Sequence, residues 1–263
     1  MNKRHFLHTL LVTAIVGTSC ISLNASADAL SAAEKNGLLR IAVPQDFPPF
    51  GTVGPDLKPR GYDIDVANLI GRELKLKVEL IPVSSTNRVP YLTTGKADLV
   101  ISSLGKNPDR EKVIDFSVAY APFYNGIFGP TDTVIKKVEE TAGKTVGVTR
   151  GSVEDLEFSK IAPGSTTVKR FEDNNATISA YLSGQVQLIA TGNVVAAAVN
   201  ENTKLRRLDT KFLIKDSPCF VGVNKGETAL LAKVNEVIGK LKRSGDLNQV
   251  SQHWLQAPLP AGL

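Results

Sequence analysis

The sequence predicts an α/β fold made of two lobes with similar architecture. Short β-branched segments alternate with amphipathic helical patterns along the chain, which is typical of α/β units with a largely parallel sheet. The same alternation starts again after Tyr124. Each half is then about a hundred residues long, the size of one small domain, so two lobes fit the pattern better than one sheet.

The first lobe begins with a strand at residues 39–43 and a helix at 63–74. Asp63 and Asp65 start this helix, where the helix dipole favours acidic side chains. An amphipathic helix buries one apolar face, and here that face consists of Ile64, Val66, Leu69, Ile70 and Leu74. The lobe continues with a strand at 77–82, a helix at 89–94 and a strand at 97–102.

The second lobe repeats this order of strands and helices. Its predicted strands lie at 145–148, 166–170 and 186–190, and its helices start at Ser152 and run over 177–183 and 194–200. The chain then passes through residues 213–223 into an amphipathic helix at 228–241 and a last helix that ends at Trp254. The repeated order supports two separate sheets.

The first 27 residues have the pattern of a secretory signal peptide. Lys3 and Arg4 precede an apolar run, and residues 25–27 form an A-x-A cleavage site before Asp28. Lipid attachment at Cys20 is the competing interpretation, but Gly17 stands where that motif prefers leucine. We therefore expect cleavage after residue 27 and a periplasmic protein.

Composition argues against several classes of function. The chain has 31 Lys and Arg against 26 Asp and Glu, a surplus too small to predict nucleic-acid binding. Once the signal peptide is removed, Cys219 is the single cysteine and His253 the single histidine of the sequence. We therefore expect no disulfide, no histidine-rich zinc site and no serine triad. No cofactor or metal is predicted, and no later run of about 18 apolar residues suggests a membrane span.

A candidate anion site follows the strand at 97–102. Ser102 and Ser103 stand at its carboxyl end, where open α/β sheets bind ligands. Arg110 comes soon after Gly105, and its guanidinium is a planar fork of donors suited to a carboxylate. The alternative is a pair of helix-capping serines and a surface arginine.

Several motifs resemble the family 3 bacterial extracellular solute-binding proteins, the polar-amino-acid binders of ABC importers. The matching segments are GYDIDV from Gly61, Ile70, Gly71 and Leu74, PQDFPPF from Pro44, REKVIDFS from Arg110, the turn at Gly151, and GDLNQVSQHW from Gly245. The resemblance implies a type II periplasmic binding fold. One lobe would consist of residues 28–124 with 219–263, and the other of residues 125–218. Each lobe would be a mostly parallel sheet flanked by helices. Two hinge crossings would join the lobes, which close on the ligand.

The resemblance also implies roles for individual residues. Phe47 would be the aromatic wall beside the ligand, Ser103 a donor to it, and Arg110 the arginine that grips the α-carboxylate. In the second lobe, Ser152 and Asp155 form an S-x-x-D capping box. The free helix end at Gly151 and Ser152 would meet the same carboxylate, although capping alone also explains Ser152.

Residues 84–99 resemble the corresponding segment of glutamate and aspartate binders. Arg88, with Ser85 beside it, becomes a candidate for a side-chain carboxylate of the ligand. Two arginines in a closed, dry cleft favour a dicarboxylate. A solvated arginine at a helix start is the alternative for Arg88.

Three positions depart from the family pattern. Ser85 stands where binders of cationic amino acids have a second aromatic ring, and Gly105 where several members have a hydroxyl residue. Gly192 aligns with the aspartate that pairs with the ligand ammonium, and the adjacent Asn193 is neutral. An uncharged or non-amino carboxylate ligand is therefore also credible.

The leading hypothesis is a monomeric binding protein that delivers a polar, and by its motifs acidic, amino acid or related small carboxylate to a membrane permease. The residues predicted to line its ligand site are Phe47, Ser85, Arg88, Ser102, Ser103, Gly105, Arg110, Gly151, Ser152 and Asn193. An alternative is an exported lyase, since the family resembles cyclohexadienyl dehydratases. Such an enzyme needs a general acid, for which Glu154, Asp155 and Asp173 are candidates by location. The same fold also forms the extracellular half of receptors, but the chain ends at Leu263 without a membrane helix, which favours a free binder.

Overall fold

A computed structural model describes residues 28–263 of the chain. The predicted signal peptide, with Cys20, lies outside the described residues. The strands are β1 (Leu38–Pro44), β2 (Asp46–Phe47), β3 (Gly51–Val53), β4 (Pro59–Arg60), β5 (Lys77–Val83), β6 (Leu99–Leu104), β7 (Ile114–Ala121), β8 (Tyr124–Gly129), β9 (Thr145–Thr149), β10 (Thr167–Phe171), β11 (Leu188–Gly192), β12 (Asp209–Asp216) and β13 (Cys219–Asn224). The helices are α1 (Ala29–Asn36), α2 (Tyr62–Leu74), α3 (Arg88–Thr93), α4 (Pro108–Val113), α5 (Val153–Ile161), α6 (Asn174–Leu182), α7 (Asn193–Asn202), α8 (Thr228–Ser244) and α9 (Asp246–Leu255).

Ten of these strands form two five-stranded sheets with the same topology, and β2, β3 and β4 form a small antiparallel sheet. The first has the order β5-β1-β6-β13-β7 and the second the order β10-β9-β11-β8-β12. In each sheet the fourth strand, β13 or β8, runs antiparallel to its two neighbours while the other pairs are parallel. The predicted two-lobed α/β fold is confirmed.

The chain crosses between the two sheets twice. β7 of the first sheet leads through residues 122–123 into β8 of the second, and β12 leads through residues 217–218 back into β13. The last strand of each sheet thus continues into the antiparallel strand of the other. We propose that the lobes are residues 28–124 with 219–263, and residues 125–218, because these crossings fall at the predicted division.

Helix α2 shows how the sequence builds the first lobe. It has Asp63 and Asp65 in its first turn. Of its predicted apolar face, Ile64, Val66 and Ile70 are buried, while Leu69 and Leu74 are half-buried against the same core. Gly71 lies so close to the first sheet that a Cβ there would overlap Cγ2 of Val78 on β5. Helices α2, α8 and α9 cover one face of this sheet, and their apolar residues share a core cluster with β1, β6 and β13.

Helix α6 begins earlier than predicted. The apolar pattern indicates residues 177–183, but the helix starts at Asn174 because Asp173 caps it, accepting a hydrogen bond of 2.7 Å from the Ala176 N–H. Cys219 is buried in the core, as its apolar neighbours predict. Within residues 28–263, none of the helices combines the length and hydropathy that crossing a membrane requires.

Two helical glycines give a direct test of this packing. We expect Gly71→Ala to lower the free energy of unfolding by about 2 kcal/mol, because its methyl group overpacks against Val78. Gly239→Ala, the matched control in α8, meets only the flexible end of Arg243 and should raise that free energy by about 1 kcal/mol through helix propensity. Urea unfolding followed by circular dichroism measures both, and equal effects at the two positions would contradict the close contact.

Candidate functional site

A narrow cavity lies between the two sheets, at the carboxyl ends of their parallel strands. The centres of water molecules can occupy about 20 Å³ of it, so the lobes are closed on each other. Its lining residues are Pro44, Asp46, Phe47, Val83, Ser85, Arg88, Ser102, Ser103, Gly105, Phe123, Asn125, Ser152, Val153, Glu154, Asn174 and Ser217. Strand ends of this kind are the usual ligand position in open α/β sheets.

Most of the predicted ligand residues lie in this cavity. Those that line it are Phe47, Ser85, Arg88, Ser102, Ser103, Gly105 and Ser152. Arg110 and Gly151 are not in the lining but lie next to it: Arg110 donates to the carbonyl of Gly105, which lines the cavity, and to the carbonyl of Gly151 at 3.0 Å. Asn193 lies elsewhere, on a surface groove beside the crossings, where its Oδ1 accepts from the Tyr124 N–H.

Asp63 holds the end of strand β6 in place. Its Oδ2 accepts from the Ser103 N–H at 2.7 Å and the Ser103 hydroxyl at 3.0 Å, and its Oδ1 accepts from the Tyr120 hydroxyl at 2.6 Å. Ser103 has a φ of +44°, a left-handed conformation that side chains other than glycine rarely adopt. Three donors on one buried carboxylate therefore stabilise a strained turn that faces the cavity.

Burial strongly disfavours the charged form of Asp63. Desolvation raises the pKa of Asp63 to about 7, although the hydrogen bonds from Tyr120 and Ser103 oppose this change. From the sequence, this residue is expected only to start a helix. Its second role depends on Ser103, forty positions along the chain.

Arg88 is buried, and its guanidinium is engaged with the first lobe. Nε donates to the Ser85 carbonyl, Nη2 to the Ser85 hydroxyl, and Nη1 to the carbonyls of Ser102 and Ser103. The side chain is 6% exposed, so the alternative of a solvated arginine is wrong. Burial lowers its pKa, while Glu154 and Asp46 oppose that change. Few donors remain for a ligand.

Two buried acids line the cavity as well, one from each lobe. Asp46 accepts a 2.6 Å hydrogen bond from the Asn174 N–H at the start of α6, and burial raises its pKa. Glu154 lies in the first turn of α5. Burial raises the pKa of Glu154, opposed by its own N–H, the Ser152 hydroxyl and the nearby Arg88 and Arg110.

Of these two acids, only Glu154 is a general acid candidate from the sequence. The other two candidates, Asp155 and Asp173, are outside the lining: Asp155 pairs with Arg170 at 2.8 Å, and Asp173 caps α6. Asp46 belongs to a family motif in the sequence but has no predicted role. Its position two residues beyond the carboxyl end of β1 is the signal that could have identified it.

Ser152 has both roles that the sequence allowed. It is the N-cap of α5, where its hydroxyl accepts from the Asp155 N–H at 3.1 Å, and it also lines the cavity. The predicted N-cap is therefore confirmed, but the second half of the capping box is not formed, because Asp155 Oδ2 accepts from the Gly151 N–H at 3.1 Å and the Ser152 N–H donates to the Thr149 carbonyl. The start of α5 lines the cavity through Ser152, Val153 and Glu154, and such a helix end favours an anion.

Hydrogen bonds between the lobes hold the cleft shut. Arg110 joins the carbonyl of Gly105 at 2.7 Å to that of Gly151 at 3.0 Å, and the Thr86 hydroxyl donates to the Arg150 carbonyl at 3.1 Å. The Asp46–Asn174 bond is a third link. Burial, with the charge of Arg88 as a smaller cause, lowers the pKa of Arg110 to about 9.

The crossings form a wall of the cavity that sequence reasoning missed. Phe123, Asn125 and Ser217 all line it. A Cβ at Gly192 would overlap the Phe123 ring, so the aspartate expected by family alignment has no room at position 192. Only the packing of residues far apart in the chain shows this. No cluster of ligating side chains suited to a metal ion occurs within residues 28–263.

Comparison with known proteins agrees with this geometry. Residues 39–257 match the profile of the bacterial extracellular solute-binding proteins, family 3. An ABC transporter glutamine-binding protein of Bacillus subtilis is 27% identical over 234 residues, which cover 87% of this chain and 85% of that protein.

Two solved structures have the same fold. A cysteine-binding protein from Campylobacter jejuni superposes with a TM-score of 0.82 at 26% identity, covering 90% of this chain and 96% of that one. An ancestral amino acid-binding protein, described as a precursor of cyclohexadienyl dehydratase, superposes with a TM-score of 0.79 at 27% identity, covering 87% of this chain and 99% of that one.

The raised pKa of Asp63 predicts a pH dependence of stability. The folded state holds a proton on Asp63 up to about pH 7, whereas the unfolded chain releases it near pH 4. Stability from this group is therefore complete below about pH 4 and is lost as the pH rises to 7, by up to about 4 kcal/mol.

Urea unfolding at pH 4.5 and 7.5 measures this loss in the free energy of unfolding. Asp63→Asn should remove its share of the decline, leaving the share of Asp46 and Glu154, whose pKa values are also raised. Asp132→Asn, at an exposed aspartate, is the matched control. A decline unchanged in Asp63→Asn would contradict the assignment.

Proposed function

Because the chain belongs to the family 3 bacterial extracellular solute-binding proteins, we propose that it is the substrate-binding component of an ABC transporter. It captures a small polar amino acid, or a related carboxylate, in the cleft and delivers it to a membrane permease. The observation that carries this proposal is the closed cavity between the lobes, which is lined mostly by polar residues and receives residues from both lobes and both crossings. A periplasmic location and a monomeric state belong to the same proposal.

The ligand carboxylate binds where Arg110 meets the start of α5. Arg110 uses two of its hydrogen-bonding groups on the carbonyls of Gly105 and Gly151, and the guanidinium has five N–H donors in all. The first turn of α5 at Ser152 offers further N–H groups from the second lobe. A carboxylate at this junction contacts both lobes, so its binding favours the closed state.

The lining favours a ligand with one carboxylate over a dicarboxylate. The acidic ligand predicted from the sequence depends on free donors of Arg88, and these are largely used by Ser85, Ser102 and Ser103. Asp46 and Glu154 face the same cavity. A second carboxylate would meet those acids at close range in a medium that screens charge poorly.

Removing the Arg110 guanidinium tests the proposal. In a panel of L-glutamine, L-cysteine, L-arginine and L-glutamate, we expect at least one amino acid to raise the melting temperature of the wild type. Arg110→Ala should weaken its binding at least about tenfold, because a hydrogen bond to a charged group contributes about 1.5–3 kcal/mol. Isothermal titration calorimetry measures the change.

Arg150→Ala is the control, since this neighbouring arginine is paired with Glu172 outside the cavity. Its variant should bind as the wild type does. Unchanged affinity in Arg110→Ala would contradict the carboxylate site, and a wild type that binds none of the panel would contradict the transport function for these ligands.

Glu154 supports a second candidate function, an exported lyase on the same fold. A carboxyl group whose pKa is raised by burial is suited to act as a general acid, and burial raises the pKa of Glu154, which lines the cavity. The likeness to the ancestral binding protein described as a precursor of cyclohexadienyl dehydratase points the same way. A lyase of this class eliminates water and carbon dioxide from a carboxylated ring.

Incubation with prephenate and with arogenate separates the two functions. If the chain is a lyase, the ultraviolet absorbance of an aromatic product should rise, and Glu154→Gln should reduce the rate at least about a hundredfold. Asp155→Asn, on the same helix but outside the lining, controls for effects on α5. Absence of product with either substrate excludes this activity and leaves the binding function standing.

A further inference from the structure

Two polar side chains in the cavity wall have no hydrogen-bond partner. Asn125 is fully buried and neither its Nδ2 nor its Oδ1 is bonded, while Ser217 is 3% exposed and its Oγ is likewise unbonded. Both residues line the cavity. An unsatisfied buried polar group costs about 1–3 kcal/mol, so these atoms are expected to be satisfied by something that enters the cleft.

The fold makes room for both side chains. Ser217 lies in one crossing and Asn125 near the start of the strand after the other, so they lie where the lobes are joined. A Cβ at Gly105 would overlap the Ser217 hydroxyl, and the glycine leaves that space open. Asn125 stands directly opposite Gly192 in the β8–β11 pair, and the ring of Phe123 fills the space at Gly192. This wall therefore consists of an aromatic ring, a carboxamide and a hydroxyl, all uncharged.

The charged side chains of the cavity already have hydrogen-bond partners away from Asn125 and Ser217. Arg88 is bound to Ser85 and to the end of β6, and Asp46 is bound to the start of α6. The partner of Asn125 must both donate and accept, because a carboxamide has both kinds of atom. A carboxylate only accepts and leaves Oδ1 unpaired, whereas an ammonium or guanidinium only donates and leaves Nδ2 unpaired.

We propose that Asn125 and Ser217 form a subsite for an uncharged carboxamide of the ligand. Asn125 Nδ2 donates to the ligand carbonyl, Oδ1 accepts from the ligand N–H, and the Ser217 hydroxyl takes the remaining position. The substrate class is then an amino acid with a side-chain carboxamide. This inference rests on the proposed transport function and deepens it.

Calorimetry with amino acids of matched shape tests the subsite. The probes are L-glutamine against L-glutamate, and L-asparagine against L-aspartate and L-leucine, which keep the shape and change only the terminal group. We expect the wild type to bind at least one amide about tenfold or more tightly than its matched analogues, because each analogue leaves a buried group unpaired.

Variants then assign the preference to the two residues. Ser217→Ala should reduce the ratio of amide to analogue affinity several-fold, and Asn125→Asp should abolish it, since a carboxylate there no longer donates to the ligand carbonyl. Asn68→Asp, the same change on the exposed face of α2, should leave the ratio as in the wild type. Circular dichroism checks that each variant is folded.

The possible outcomes separate this inference from the proposed function. If amino acids bind but the amides bind no better than their matched analogues, the subsite is overturned and the transport function stands. The subsite is also overturned if the preference for the amide survives both Ser217→Ala and Asn125→Asp. It is likewise overturned if water molecules alone are the hydrogen-bond partners of the Asn125 and Ser217 side chains. The wild-type series needs no variant, so it tests the subsite even if the Asn125→Asp protein misfolds.

Discussion

The Asp63 carboxylate is the contact on which the rest of the site depends. It binds the N–H and hydroxyl of Ser103, while Arg88 binds the carbonyls of Ser102 and Ser103. The strained end of β6 is thus held through its donors by an acid and through its acceptors by a base. Removing either side chain leaves buried polar groups of Ser102 or Ser103 without a partner, which costs about 1–3 kcal/mol for each group. The end of β6, Asp63 and Arg88 therefore form one unit.

Charged side chains bound to backbone groups also connect the two lobes across the cleft. Asp46 contacts the start of α6, and Arg110 spans carbonyls of both lobes. Most of these polar groups already have a protein partner in the closed state. The positive and negative side chains of the cleft therefore nearly balance one another. Ligand selection depends instead on the side-chain atoms of Asn125 and Ser217, which have no protein partner.

The sequence allowed the repeated strand and helix order, the amphipathic α2 and the N-cap at Ser152 to be predicted, because each depends on residues near one another in the chain. It also located most of the lining at strand ends. The antiparallel fourth strands escaped prediction, and so did the part that the crossings take in lining the cavity, because both depend on how β8 and β13 pack between strands that are distant in the sequence. Asn125 could not be recognised either, because a missing hydrogen-bond partner is visible only when every neighbour is in place.

The fit of Phe123 against Gly192 also bears on how this protein can change through mutation. A side chain at position 192 requires the ring at position 123 to leave first, and loss of the ring alone opens a void at the crossing, which is costly in a packed interior. A carboxylate at position 192 therefore requires two replacements, and the protein with only one of them is less stable. Single mutations will consequently tend to preserve the glycine at this position.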